Sequence, residues 1–323
     1  MLDLVGKRFW YFLISTLIIL PGVISLLIPP ALKPGIEFTS GSLMTLRFEQ
    51  SVGQEELRSE YATLGHADAV IQRTGQGDFI VRTKTLAPET KDSEGNVVEP
   101  AEKDRIEAAL QQKFGPLSTV DFYSVSPTVA AELVKKAFWA ILAAVVAILL
   151  YIAWAFRKLP NPFRYGISAI IAVVHDVLVV LGIFSILGKV FGTEIDMMFI
   201  TAVLTVMGYS VHDTIVIFDR IRENVLKYGP EADFGQTVNS SILETLSRSL
   251  NTVLTVIFAL VALYLFGGVT IREFILAMLI GVISGTYSSI CTAAQIVVSW
   301  EKGDIVRILR HTPLRALVTR SAA

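Results

Sequence analysis

Asp213 stands, with His212 before it, inside an otherwise apolar run over residues 197–218. A carboxylate at membrane depth costs on the order of 3 kcal/mol, so such a residue faces protein and marks a functional site by default. Two further residues share this character. Asp176, preceded by His175, lies midway along the apolar run 165–187, and Arg248 heads the run that continues to residue 266. A carboxylate that can exchange a proton, and a cation able to respond to its charge, are the parts of an ion-coupled membrane machine.

Spacing groups these residues. At 100° per residue, Thr201, Thr205, Tyr209, His212 and Asp213 fall within an arc of about 120° on one helix. Thr245, Arg248, Asn251, Thr252 and Thr255 form one polar face on the next. Both faces are expected to meet neighbouring helices, with Asp213 and Arg248 at similar depth and able to form an ion pair that offsets part of their burial cost. Asp176 is expected about 16 Å into the bilayer at 1.5 Å per residue, where a carboxylate can serve as a proton stop. The competing reading is structural: a buried pair can fix helix register, and His175 with Asp176 can be satisfied polar core. Asp219, Arg220, Arg222 and Glu223 fall at the membrane boundary, where contact with water or headgroups explains them.

The elements that must position these residues are membrane spans. Hydrophobic residues make up 53% of the 323-residue chain and charged residues 18%, below the roughly 25% typical of soluble domains. Six runs are long enough to cross a hydrocarbon core of about 30 Å: residues 9–28, 137–156, 165–187, 197–218, 251–266 with its polar lead-in, and 274–298. The first is preceded by Lys7 and Arg8 but has no small-residue cleavage site before Pro29 and Pro30, so it reads as an uncleaved helix. Arg157, Lys158, Arg164, Arg220, Arg222, Lys227 and the basic tail Lys302, Arg307, Arg310, Arg315 and Arg320 then share a side with Lys7 and Arg8. The opposite short loops hold Lys189 and Arg272. The positive-inside rule makes both termini cytoplasmic.

Residues 30–135 read as a separate external domain. Alternation gives strands at 42–48, 71–74, 79–83 and 120–125, and helices at 55–64 and 102–114, an order that fits a ferredoxin-like split βαβ unit. Residues 87–100, rich in Pro, Gly, Asp and Glu, read as a loop. The expected organisation is a first helix at 1–29, the external domain at 30–135, a five-helix bundle at 136–300 and a basic cytoplasmic tail at 301–323. Within 230–247, Phe234, Val238, Ile242 and Leu246 repeat every four residues and suggest an amphipathic helix at the cytoplasmic interface. Gly281, Gly285 and Ser289, also four apart, favour close helix packing. The fold class is thus a polytopic α-helical membrane protein with six transmembrane helices and one external α+β domain.

Composition also excludes classes of function. A net charge of −1 gives no footprint for nucleic acid, and Cys291, the single cysteine, permits no internal disulfide and no cysteine metal cluster. No phosphate cradle, cofactor motif or metal-ligand set stands out, so neither a cofactor nor a catalytic centre is expected. An intramembrane hydrolase built on His175 and Asp176 would need a nucleophile or a second ligand set facing them, and the sequence shows none.

Residues 208–224, GYSVHDTIVIFDRIREN, followed by 247–252, SRSLNT, resemble the SecD/SecF family of protein-export membrane proteins. The resemblance extends over six helices, a large external domain after the first, and the His175–Asp176 pair. It departs from the family pattern in Gly35-Ile36-Glu37-Phe38-Thr39-Ser40-Gly41, where the family carries Asp at the third position and Gly at the sixth. The family belongs to the resistance-nodulation-division superfamily. The resemblance implies an accessory subunit of the Sec translocase in a bacterial inner membrane, paired with SecD and working beside the SecYEG translocon on unfolded preproteins. It further implies use of the proton gradient through Asp213, Arg248, Asp176, His175, Asn251 and Thr252. Half of a small-molecule or lipid exporter from the same superfamily, and a non-energised scaffold, are the alternatives.

Overall fold

The structure is a computed structural model, and it describes residues 2–74, 77–91, 97–157, 162–229, 231–268 and 271–304. Lys158, Pro230 and the tail arginines Arg307, Arg310, Arg315 and Arg320 lie outside the described residues. Two compact units emerge, one formed by residues 1–33 with 139–323 and the other by residues 34–138.

Among the described residues, six helical stretches are long and apolar enough to cross a membrane. They are α1 (Arg8–Leu27), α5 (Pro127–Ala155), α6 (Pro162–Val190), α7 (Met197–Tyr228), α8 (Phe234–Phe266) and a last helical stretch made of α9 (Arg272–Ser288), a π turn (Ser289–Ala293) and α10 (Ala294–Glu301). Asp196 caps α7 by accepting from the Phe199 amide at 2.8 Å, and Asp233 caps α8 by accepting from the Gln236 amide at 3.1 Å. Small residues decide how closely the helices meet. A Cβ on Gly22 would lie 2.7 Å from the Gly182 Cα, so α1 crosses α6 backbone to backbone, and Ser25 and Ser185 join their hydroxyls at 2.7 Å a turn further on. Between α7 and α9, Gly281 accommodates Val206 and Gly285 accommodates Ser210, while Ser289 meets Thr214 hydroxyl to hydroxyl at 2.8 Å. The four-residue spacing expected for packing is therefore a ladder against Val206, Ser210 and Thr214.

Two expectations change in this unit. The segment before the fifth span is not a separate interfacial helix, because α8 runs unbroken from Phe234 to Phe266. Its apolar repeat packs inward instead: Val238 and Ile242 are fully buried, with Phe234 and Leu246 against the same core. The sixth span, expected as one helix, is interrupted by the π turn, the kind of insertion that often accompanies a functional site.

In the other unit, β1 (Gly41–Phe48), β2 (Val70–Arg73), β3 (Phe79–Thr83) and β6 (Leu117–Val125) form an antiparallel sheet in the order β2-β3-β1-β6. Helices α3 (Gln54–Thr63) and α4 (Glu102–Phe114) supply Leu57, Tyr61, Ile106 and Leu110 to its core, against Met44, Leu46, Ile71, Phe79 and Val81. The strand alternation read from the sequence selects those inward positions, each contributing about 1.5–3 kcal/mol by burial. Residues 87–100 are not wholly loop: β4 (Thr90–Lys91) pairs with β5 (Val97–Glu99). Such short strands, rich in charge, give no periodic signal. A short helix, α2 (Ile36–Thr39), precedes Ser40, the one non-glycine residue described with a positive φ, at 64°.

Candidate functional site

Two acidic positions in the helical unit have opposite surroundings. Asp176 is fully buried on α6. Its Oδ2 accepts from the hydroxyls of Ser210 on α7 and Ser288 on α9, each at 2.6 Å. Its Oδ1 accepts from Ser284 at 2.6 Å and lies 3.0 Å from His175 Nδ1. Four polar groups thus converge on one carboxylate and tie three helices together. His175 is itself 4% exposed, stacks on Tyr287 with ring centroids 6.1 Å apart, and leaves Nε2 without a partner among the described residues.

Asp213, on α7, is 7% exposed. Its Oδ1 accepts from Ser249 Oγ of α8 at 2.7 Å, whereas Oδ2, equally buried, has no partner among the described residues. A buried acceptor without a donor costs about 1–3 kcal/mol, and a proton removes that cost by turning the oxygen into a hydroxyl. Asp176 is saturated with donors, whereas Asp213 keeps one oxygen open to a further donor.

The expected ion pair between Asp213 and Arg248 is not formed. Adjacent positions on a helix are 100° apart, and it is Ser249 that turns toward α7. Arg248 is exposed and lines a cavity of about 390 Å³ between α7 and α8, together with Val216, Asp219, Arg220, Glu223, Glu244 and Thr245. Asn251 and Thr252 are exposed as well, and Thr252 Oγ1 donates to the Arg248 carbonyl at 3.0 Å. On α7, Thr201, Thr205 and His212 are exposed too, with the threonine hydroxyls donating to the carbonyls of Met197 and Thr201. The polar stripes read from the sequence lie largely at the surface of this chain, with Thr201, Thr205, His212, Arg248, Asn251, Thr252 and Thr255 exposed, Tyr209 half-buried, and Asp213 and Thr245 buried.

The carboxylates were legible in the sequence as charges inside apolar runs. Their hydroxyl partners, Ser210, Ser249, Ser284 and Ser288, were not, because serine is common in membrane helices. The available signal is the spacing of Ser284 and Ser288, which places both on the face of α9 that carries Gly281. Among the described residues no group of three or more His, Cys, Asp or Glu side chains is placed to hold a metal ion.

A family model described as protein export membrane protein SecD/SecF, C-terminal, matches residues 105–303, and a SecD/SecF GG motif model matches residues 30–52. The protein translocase subunit SecF of Thermobaculum terrenum is 49% identical over 99% of this chain and 100% of its own length. That of Anaerolinea thermophila is 41% identical over 94% and 96%. The protein translocase subunit SecDF of Bacillus subtilis is 32% identical over 94% of this chain, which spans 38% of that longer protein. Among solved structures, SecDF from Thermus thermophilus, described as a translocon-associated membrane protein, superposes with a TM-score of 0.76 at 31% identity, over 93% of this chain and 39% of that one.

Proposed function

This chain belongs to the SecD/SecF family of protein-export membrane proteins, and on that premise we propose that it couples a transmembrane proton gradient to export by the Sec translocase, through protonation of Asp213. The observation that carries the reading is the half-satisfied carboxylate: one oxygen held by Ser249, which adjoins Arg248 on α8, the other buried and without a partner among the described residues. Ionised, Asp213 attracts the Arg248 guanidinium; protonated, it does not. A proton crossing the membrane releases about 2.3 kcal/mol per 100 mV, enough per transfer to bias a two-state rearrangement of α7 against α8. Asn251 and Thr252 keep the face beside that site polar. Asp176 and His175 serve the same cycle by holding α6, α7 and α9 as one body against which α8 can shift.

The exposed polar faces support a partner. Arg248, Asn251, Thr252, Thr201, Thr205 and His212 at membrane depth are costly against lipid, so a second set of helices covers them. SecD is the partner of matching kind, since the Bacillus subtilis relative carries a segment like this chain within a SecDF polypeptide. The exported preprotein on the outer face and the SecYEG translocon complete the assembly, in a bacterial inner membrane with both termini cytoplasmic. The test is export into vesicles holding the full chain with its native partners. An imposed proton gradient accelerates export, and an uncoupler returns the rate to that of vesicles lacking the chain. A gradient response that persists without the chain contradicts the proposal, and a chain that accelerates export equally with and without a gradient is a scaffold.

A further inference from the structure

We propose that the apolar groove between α1, α6 and α10 holds one acyl chain of a phospholipid, drawn from the leaflet that α1 enters first, with Lys7 at the headgroup. This goes beyond the coupling reading and does not depend on it.

The groove has a volume of about 530 Å³ and is walled by Phe12, Ile19 and Val23 of α1, Ile171 and Val174 of α6, and Ile296 of α10. Most hydroxyls along it are already bonded within the chain. Thr16 Oγ1 donates to the Phe12 carbonyl at 2.8 Å, and Ser15 Oγ lies 3.3 Å from Thr292 Oγ1 of the π turn and donates to Tyr287 Oη at 3.4 Å. The wall therefore offers a ligand mainly hydrocarbon. Ile171 and Val174 are exposed, so the groove opens sideways, toward the space that lipid fills around membrane-spanning helices.

Its length selects the occupant. Along α1 the lining runs from Phe9 to Val23, about 21 Å at 1.5 Å per residue. It stops beside Gly22, where α1 and α6 meet backbone to backbone at Gly182 and leave no gap between them. A partner helix crossing the membrane needs an apolar face of about 30 Å, so this groove is too short to seat one along its length. A chain entering from one leaflet fits it. Bilayer hydrocarbon gains nothing by moving onto more hydrocarbon, so the preference for this place comes from shape and from charge at the open end.

The open end has the groups a phospholipid needs. Lys7, the residue that precedes α1, is exposed, whereas Arg8 is occupied by Asp304, with Nε at 3.0 Å and Nη2 at 2.7 Å. Trp10 is exposed a turn further on, as aromatic residues at a headgroup boundary are. Ser299 also lines the groove, two residues before Glu301, which pairs with Arg164 near the start of α6. Its buried Oγ has no partner among the described residues and is a donor suited to an ester carbonyl.

The test uses the full chain with its native partners in phospholipid vesicles that contain, as a minor component, phosphatidylglycerol with a diazirine midway along one acyl chain. After irradiation, adducts are mapped by mass spectrometry. Those on Phe12, Ile19 and Val174 should exceed those on Val146 and Leu150, exposed on α5, by about tenfold. Val174→Trp fills the groove from α6 and Thr16→Trp fills it from α1; each should remove the excess and leave the α5 adducts unchanged, which also reports an inserted chain. Lys7→Gln should cut the excess by about fivefold, the factor for one basic residue near a membrane surface. Equal labelling of α1, α5 and α6 means surrounding lipid only and overturns the site. An excess that survives both tryptophans overturns it too, as does a groove without adducts, the result expected if protein covers it. An excess unchanged in Lys7→Gln overturns the headgroup contact.

Discussion

Asp213 and Asp176 lie on adjacent helices of one bundle, yet their hydrogen bonds predict opposite responses to substitution. Each serine on Asp176 satisfies part of a buried charge, so Ser284→Ala or Ser288→Ala should destabilise the helical unit by about 1–3 kcal/mol, read as a lower melting temperature in detergent. Ser249→Ala removes the one donor to Asp213, and its effect should fall on gradient coupling more than on melting. Ser40 is a second case at this scale. Its φ of 64° and ψ of 164° belong to a region that costs other residues at least about 1 kcal/mol and glycine little, so Ser40→Gly should raise the stability of the external unit by about that amount. Ser40 stands within residues 30–52, the stretch that the SecD/SecF GG motif model matches. In the same unit, Arg47 Nε and Nη2 hold both oxygens of Asp78 at 2.8 Å, and these hydrogen bonds keep its carboxyl below the usual carboxylate range. A depressed carboxylate contributes stability above its unfolded value of about 3.9 and loses it as pH falls through the folded one. Melting of this unit should therefore drop on acidification below about pH 4, and less steeply in Asp78→Asn.

At the scale of elements, the contact of α7 with α9 depends on the absence of side chains. A Cβ on Gly281 would come within 2.2 Å of a Val206 methyl, so Gly281→Leu should force the helices apart, cost about 1–3 kcal/mol and weaken the serine grip on Asp176 one turn away. Gly281→Ala tests whether a smaller displacement has a proportionately smaller effect. Helices and strands were legible because their signals are periodic: charges interrupting apolar runs marked the spans, and alternation marked β1, β3 and β6. The segment preceding the fifth span shows where periodicity falls short. Phe234, Val238, Ile242 and Leu246 specify an amphipathic helix, but the same stripe suits a lipid interface and a protein core, and here it packs on the core. The π turn at Ser289–Ala293 left no periodic trace either, because one added residue per turn shifts a pattern no more than an ordinary packing irregularity does.

For the whole molecule, the unshared polar faces of α7 and α8 matter most. Sequence reasoning expected Asp213 and Arg248 to satisfy one another within the chain; instead Ser249 meets Asp213, and Arg248 points into a cavity that ends at the surface. No sequence pattern distinguishes a polar face that meets a neighbour in the same chain from one that meets another subunit, because both are polar stripes on apolar helices. Cysteines at Thr205 or Asn251, in the Cys291→Ser background, should cross-link to a partner subunit in native membranes. Reaction with lipid-soluble probes alone would show those faces open to the bilayer.

Whether protonation of Asp213 carries the coupling is decided by Asp213→Asn. The amide fills the same space and still accepts from Ser249, but it cannot exchange a proton. In vesicles holding the assembled complex, the variant should export at the gradient-independent rate whether or not a gradient is imposed, with Asp213→Glu retaining part of the response. A gradient-stimulated rate in Asp213→Asn equal to that of the wild type would rule out Asp213 as the coupling carboxylate.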